Sequence, residues 1–402
     1  MKWKGHNMSK QIFDLKYRDE VTKYLKQKGC ITNPFIIEDI STGNMNYVYR
    51  AKEVKTGKTY VLKYAAKHTR ISEDILVSTQ RISIEARVLM EFNQYVPQYV
   101  PYVYQYDDKN NCIIMKDYSE YCILRDKLNH CEIIPDFADN ITSYLIKGII
   151  PTLNLDTNEE LKGSDIQKIN NPLCDTTKTY VFSEPFMKHG NTNDIFELSK
   201  EFVDHEVYQD HELFNQIEKL KRQFINKKQA LIHGDLHTGS IFVKESSIII
   251  FDYEFAFYGP VGFDIGNLLA HLIFSWLHAK ELGQKKEFLD WVENTIGQII
   301  DKFKKKFVSQ FIENYNKDGH YSSEYISTYV DDIIHDTASF AGVELIRRVI
   351  GIAHVSDIVL IDNPKKRAEA EQTAIKLAKL FVMNNQQFHS GTDFTNKIIE
   401  YY

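Results

Sequence analysis

The segment LIHGDLHTGSIF, residues 231–242, sets His233, Asp235 and His237 at alternate positions between two apolar runs. Strand periodicity turns alternate side chains to one side, so this spacing predicts that the three share a face. Such a set suits a metal cage, the catalytic loop of a phosphotransferase, or an ordinary strand end with polar neighbours. Seventeen residues beyond Asp235, the run IIIFDYEF carries Asp252 and then Glu254. If SIFV and IIIF pair as a hairpin across KESS, the chain reverses and brings these carboxylates near Asp235. Crowded carboxylates repel, and burying them unpaired is costly. A divalent cation relieves both problems, and magnesium suits oxygen ligands while bridging to substrate phosphates. One carboxylate to orient a hydroxyl and one or two to hold a metal is what phosphoryl transfer needs. Taken alone, Asp235 has a loop-capping residue as its bland alternative; its spacing to Asp252 and Glu254 favours the chemistry further.

A nucleotide donor also needs a cover for its phosphates and a cation. The turn STGNMNYVYR contains Gly43, and Lys63 sits inside the apolar strand run TYVLKYA. A lysine in such a run requires an anionic partner, which Glu85 on the following helical stretch can supply. A strand lysine paired with a helix glutamate is how kinases hold the α- and β-phosphates. Further on, FAGVELIRRVIGIAH places Arg347 and Arg348 in an apolar helical run. Neighbours on a helix point about 100° apart, so one narrow polar face does not hold both. Glu344 lies three and four residues earlier and predicts an intrahelical salt bridge. One carboxylate does not satisfy two guanidinium forks, so the spare donors suit a polyol or a phosphate. Asp264 precedes a helical run, either as its cap or as a brace for the catalytic loop.

These residues need a scaffold of 402 residues, enough for two lobes. Apolar residues make up 43% and charged residues 26%, an ordinary globular composition. A net charge of -6 gives no reason to expect nucleic acid or an anionic membrane as a partner. The five cysteines form no CxxC and no zinc spacing, which fits a reducing compartment. The start MKWKGHNMSKQIFDLK has no apolar core of signal-peptide length, and no run reaches bilayer-spanning length. Met8 is an alternative start, and a cytoplasmic location is expected.

A helix is predicted within residues 13–29, three β-runs within 35–65, a helix over 80–94, and two more strands before Tyr118. Beyond it the pattern is helical, with stretches at 138–150, 195–227, 265–280, 286–313, 323–356 and 365–384. One β interruption at 229–255 reads as strand, loop, strand, tight turn, strand. The expected fold class is therefore α+β: residues 1–117 form a small antiparallel, nucleotide-gripping lobe, and residues 118–402 a larger, mainly helical catalytic and substrate-binding lobe.

HGDxxxxS followed by a strand and DxE resembles the protein-kinase-like superfamily of small-molecule kinases, which includes aminoglycoside and choline kinases. Within it, the stretches TGNMNYVY, NPLCDTTKTYVFSEPF, LIHGDLHTGSIF, EFAFYGPVGFDIG and FAGVELIRRVIGIAHVSD resemble the 5-methylthioribose kinase family. The resemblance implies a bilobal kinase-like fold and transfer of the ATP γ-phosphoryl group to the anomeric hydroxyl of 5-methylthioribose, in methionine salvage. It implies Asp235 as the catalytic-loop aspartate and Asp252 and Glu254 as the Mg2+ ligands. Arg347 and Arg348 match the paired arginines at the sugar and γ-phosphate. Gly43, Asn44, Asn46, Lys63 and Glu85 match the ATP-gripping turn, lysine and glutamate, and Lys116, Asp117 and Tyr118 the adenine hinge. A homodimer is implied as well. Two departures stand out: Ser240 replaces the metal-binding asparagine of protein kinases, and residues 68–80 lack the tryptophan that some relatives carry there.

Three rival readings remain at this point. HGDLH overlaps a metal-dependent phosphoesterase signature, but the upstream DxH and downstream GNH motifs of such enzymes are absent from the sequence. A silent kinase-like binding module is disfavoured by the intact Asp235, Asp252, Glu254 and Lys63. A choline- or aminoglycoside-type kinase would take a cationic acceptor, which Arg347 and Arg348 would repel.

Overall fold

A computed structural model describes residues 13–29, 31, 33–41, 45–68, 70, 76–155, 172–190, 192–284 and 286–402. The chain divides into two compact units, Met1–Ser119 and Glu120–Tyr402.

The first unit is built on an antiparallel sheet. Its elements are α1 (Arg18–Gln27), β1 (Phe35–Asp39), β2 (Tyr47–Glu53), β3 (Thr59–Tyr64), α2 (Gln80–Tyr95), β4 (Val103–Asp107) and β5 (Cys112–Lys116). The strand order is β1-β2-β3-β5-β4. Alternation along β3 sends Tyr60, Leu62 and Tyr64 into a core shared with Val21, Tyr24 and Leu25 of α1. Lys63 therefore points to the opposite face, where α2 brings Glu85. The helix inserted between β3 and β4 thus follows the predicted pattern, ending one residue later than expected.

The second unit opens with β6 (Cys122–Ile123), α3 (Leu124–Asn129) and α4 (Phe137–Ile149), followed by α5 (Leu173–Tyr180), α6 (Lys200–Val203) and α7 (His211–Asn226). The hairpin region holds β7 (Ala230–Ile232), β8 (Ile241–Lys244), β9 (Ser247–Ile250) and β10 (Phe257–Gly259). The remaining helices are α8 (Val261–Glu281), α9 (Lys286–Tyr315), α10 (Ser323–Ile350), α11 (Ser356–Val359), α12 (Pro364–Met383) and α13 (Gly391–Glu400). Strands β6, β8 and β9 form one small sheet, and β10 pairs with β7 in another.

Several expectations change here. The single helix foreseen at 195–227 is broken: a π-helical turn at Asp204–Tyr208 ends α6, and the Asp210 carboxylate caps a fresh start by accepting Leu213 N–H at 2.8 Å. The helix foreseen to 356 stops at Ile350, with Gly351 beyond it. β6, β10, α3, α5 and α13 were not foreseen. The two strands and α3 are too short for a sequence pattern to separate from loop, whereas α5 and α13, of 8 and 10 residues, are amphipathic and were overlooked.

Helices α8 and α10 form the centre of this unit. All of α8 except Lys280 is buried, as is every residue of α10 from Ile333 onward. Their close approach requires glycine: a Cβ on Gly266 would lie 2.7 Å from both Ala341 N and Thr337 O. Polar side chains on these two helices consequently meet one another rather than water.

Candidate active site

The loop leaving β7 is tied down at nearly every residue. Gly234 has φ +80°, and a Cβ there would sit 2.2 Å from the Phe255 carbonyl oxygen, so only glycine fits. Asp264, on the first turn of α8, accepts His233 N–H at 2.6 Å and Gly234 N–H at 2.9 Å. It is the loop brace rather than a cap; Pro260 occupies the cap position. Burial, only partly countered by His233 and the two amides, pushes its carboxyl up to about 6. His233 donates from Nε2 to Phe251 O at 2.9 Å and accepts Asp235 N–H on Nδ1 at 3.2 Å. Ser240 Oγ lies 3.2 Å from Asp235 O and 2.9 Å from His237 O, and accepts His237 N–H at 3.0 Å. That hydroxyl is committed to holding the loop.

The expectation that His233, Asp235 and His237 share one strand face is therefore corrected. Strand β7 ends at Ile232, and the left-handed Gly234 breaks the alternation. His233 packs on Tyr253 with ring centroids 4.5 Å apart. Only Asp235 and His237 face one another, with Oδ2 3.4 Å from Nε2.

The foreseen hairpin forms, with Lys244 opposite Ser247 and Ile241 opposite Ile250. Its two-residue turn places Glu245 at φ 52°. Phe251 is held on both sides by the loop, its N–H donating to Ser240 O at 3.0 Å and its carbonyl accepting from His233. With Gly234 against Phe255, the 251–255 segment wraps the 233–240 loop. Asp252 and Glu254 thus ride on a segment bonded directly to the loop that carries Asp235. Asp252 adopts φ 75°, ψ 53°, a left-handed conformation that costs an L-residue about 1–2 kcal/mol. Glu254 is buried. Among the described residues no three His, Cys, Asp or Glu side chains converge on a ready-made metal cage. A pair of carboxylate oxygens completed by water and phosphate is nevertheless the kind of donor set magnesium accepts.

On α10, Glu344 takes Arg347 Nε on Oε2 at 2.6 Å and Arg348 Nε on Oε1 at 2.7 Å. The predicted salt bridge exists, to both arginines at once. His271 of α8 donates to the same Oε1 at 3.1 Å. Burial would raise the Glu344 carboxyl, but the two guanidinium groups and His271 hold it well below its ordinary value. Arg348 also donates to Ala353 O at 3.0 Å, and Arg347 Nη2 reaches to 3.8 Å from Asp235 Oδ1. Against its burial, His237, Arg348 and Arg347 hold the Asp235 carboxyl well below the usual range. The two aspartates of this loop system are thus driven apart, one kept ionised by cations and one made easy to protonate by burial.

Sequence reasoning missed three contributors. Arg125, on the short α3, lies with Nη2 3.2 Å from His237 Nδ1 and 3.3 Å from His271 Nδ1. His271 left a signal that went unused, a lone imidazole in the apolar run NLLAHLIF. Arg81, fully buried, binds Asn46 Oδ1 at 2.9 Å and the carbonyls of Met45, Ala66 and Ser78.

In the first unit Lys63 Nζ and Glu85 Oε2 pair at 2.6 Å, both buried. Asn46 is thus engaged by Arg81, while Gly43 and Asn44 lie outside the described residues. The Asp117 carboxylate accepts Arg50 Nε at 2.9 Å and Ser119 N–H at 3.1 Å, so its side chain braces the strand end. Lys116 Nζ lies over the Tyr118 ring, 4.9 Å from its centroid. Most of the tryptophan-free 68–80 segment also lies outside the described residues.

Comparison with known proteins now bears on this geometry. A model described as the phosphotransferase enzyme family matches residues 164–293, the stretch that contains the loop and the hairpin. A methylthioribose kinase from Bacillus pumilus (strain SAFR-032) is 34% identical over 354 residues, 88% of this chain and 87% of that protein. The chain belongs to the methylthioribose kinase family. Another relative of that name, from Geobacillus sp. (strain WCH70), is 34% identical over 363 residues, 89% of this chain and 88% of its own. The crystal structure of a choline kinase from Cryptosporidium parvum Iowa II aligns with 91% of this chain and 96% of its own at 12% identity, TM-score 0.49. As a member of the methylthioribose kinase family the protein is an ATP-dependent small-molecule kinase. Among the described residues no helix is long and apolar enough to cross a membrane.

Proposed function

We propose that the protein transfers the γ-phosphoryl group of ATP to the C1 hydroxyl of 5-methylthioribose. The observation that carries this reading is the Asp235 carboxylate, a third exposed, on a braced loop and flanked by His237 and Arg347. Such a carboxylate is a weak base. An anomeric hydroxyl is more acidic than an ordinary alcohol, so orientation of its proton matters more than basicity. As the oxygen attacks phosphorus and the bond to ADP breaks, the hydroxyl proton passes to Asp235. Arg347 and Arg348 bind the sugar and the transferring phosphoryl group, where their fixed donors favour developing negative charge.

Asp252 and Glu254 hold Mg2+ in this reading. Bound there, it neutralises phosphate charge, the usual task of a metal in phosphoryl transfer. Lys63, positioned by Glu85, binds ATP phosphates; Gly43, Asn44 and Asn46 contribute to ATP binding, and Lys116, Asp117 and Tyr118 serve as the adenine hinge. The same reading carries a cytoplasmic homodimer working in methionine salvage, with no nucleic-acid or membrane partner.

The test is ATP consumption with methylthioribose, ribose, choline and kanamycin as separate acceptors. Turnover is expected with methylthioribose foremost. Preference for choline or kanamycin would reassign the acceptor to a cationic alcohol, and product release without ATP would replace the transferase by a phosphoesterase.

A further inference from the structure

Six side chains of the second unit close a ring around the loop. From Asp235 Oδ2 it runs to His237 Nε2 at 3.4 Å, then from His237 Nδ1 to Arg125 Nη2 at 3.2 Å. From Arg125 Nη2 it runs to His271 Nδ1 at 3.3 Å, and from His271 Nε2 to Glu344 Oε1 at 3.1 Å. Glu344 Oε2 to Arg347 Nε is 2.6 Å, and Arg347 Nη2 returns to Asp235 Oδ1 at 3.8 Å. The two imidazoles stack with centroids 5.0 Å apart and planes at 28°.

The direction of each bond follows from what Arg125 lacks. A guanidinium has donors and no acceptor. One terminal nitrogen of Arg125 carries two hydrogens and faces two Nδ1 atoms, so both must present lone pairs. Gly239 N–H donates to the same His237 Nδ1 at 2.9 Å, and Arg125 Nε reaches Thr238 Oγ1 at 3.3 Å. The one proton of each neutral ring is then on Nε2, facing a carboxylate in both cases. Reversing either tautomer would set N–H against N–H at one end and a lone pair against a carboxylate at the other.

We propose that Arg125 is a positioning residue of the transfer reaction: by donating from one nitrogen to both imidazoles it locks His237 and His271 as Nε2–H tautomers, which hold Asp235 and the Glu344–Arg347–Arg348 group in one register. Its kinetic part rests on the role of Asp235 given above; its tautomeric part does not. Other charged groups face the pair: Arg348 acts on both rings, and Asp357 of α11 acts on Arg125. Burial, helped by two nearby arginines and opposed by Asp235 at one ring and Glu344 at the other, also disfavours a second proton on either, in keeping with the same tautomers.

The experiment is long-range 15N NMR of histidine-labelled protein without substrate, alongside steady-state kinetics. The wild type is expected to show both rings as Nε2–H, each taking a second proton only at lower pH than an ordinary histidine does. Arg125→Met and Arg125→Ala both remove the donors. In both, at least one ring should become a tautomer mixture or titrate, and kcat should fall roughly 10- to 100-fold. KM for ATP should stay within about twofold, as befits a loss confined to the transition state. Arg125→Gln, whose amide nitrogen offers two hydrogens, should restore the tautomers and part of kcat. If the methionine variant does not fold, the alanine and glutamine variants decide. Unchanged tautomers in Arg125→Met or Arg125→Ala would overturn the lock, and changed tautomers with wild-type kcat would overturn the positioning role. A wild type inactive on methylthioribose would instead count against the substrate and leave the NMR result standing.

Discussion

The two units bury charge in opposite ways. In the first, Lys63 of β3 meets Glu85 of α2, the next helix along the chain, at 2.6 Å. In the second, Asp235, His237, Arg125, His271, Glu344, Arg347 and Arg348 come from α3, a loop, α8 and α10, and no acid there serves a single base. A pair between consecutive elements needs only the strand's alternation and one helix face. A network closed over two hundred residues needs the packing of buried helices to be right first. A contact between consecutive elements and a network across distant ones should therefore fail differently when cut.

The largest effect should come from the more exposed of the network's two carboxylates. Asp235→Asn keeps shape and removes the proton acceptor, and kcat should fall by about a thousandfold, within the range for a lost general base. Thermal unfolding should change little, since Asn retains the size; a large drop in Tm would move Asp235 from chemistry to architecture. Next, Glu344→Gln leaves two buried guanidinium groups facing a neutral amide. Breaking such a site should cost about 5 kcal/mol of stability, the upper end for buried ion pairs, read by urea unfolding. The contact between consecutive elements gives the smaller counterpart. Lys63→Met strands one buried glutamate and should cost about 4 kcal/mol while raising KM for ATP. Equal losses for Glu344→Gln and Lys63→Met would erase the distinction between pair and network.

The mildest test concerns pH and the two aspartates of the loop. Asp264 is easier to protonate in the fold than in an unfolded chain, its value raised from 3.8 to about 6. Its contribution is fully present below the unfolded value and lost as pH rises through about 6; the displacement corresponds to about 3 kcal/mol. Asp235, held low, contributes in the opposite sense, with stability present above 3.8 and lost on acidification. Urea unfolding across pH 4 to 6 should show the wild type losing stability relative to Asp264→Asn as pH rises. A parallel course for the two proteins would remove Asp264 from that slope.

How much of this was legible in the sequence varies residue by residue. The β8–β9 hairpin was readable because KESS lies between two apolar runs and the pairing is local. Lys63 and Glu85 were readable because an apolar strand does not tolerate an unpaired lysine. Asp252 and Glu254 were singled out correctly as neighbours of the Asp235 loop, while the shared face assigned to His233 failed at one left-handed glycine. Arg125 was invisible: α3 is six residues long, and nothing in its composition marks an arginine whose partners lie 112 and 146 positions away.

By itself, the order of residue types determined an antiparallel sheet with an inserted helix, the hairpin that returns two acids toward a third, and an arginine pair beside one glutamate. These are short-range consequences of periodicity, turn chemistry and charge. Tertiary structure alone decided which donors each carboxylate receives, that Asp264 braces the loop, and which nitrogen of each imidazole carries the proton. The reason is that hydrogen-bond direction depends on the atom on the other side, and here that atom is delivered by helices packed from distant parts of the chain.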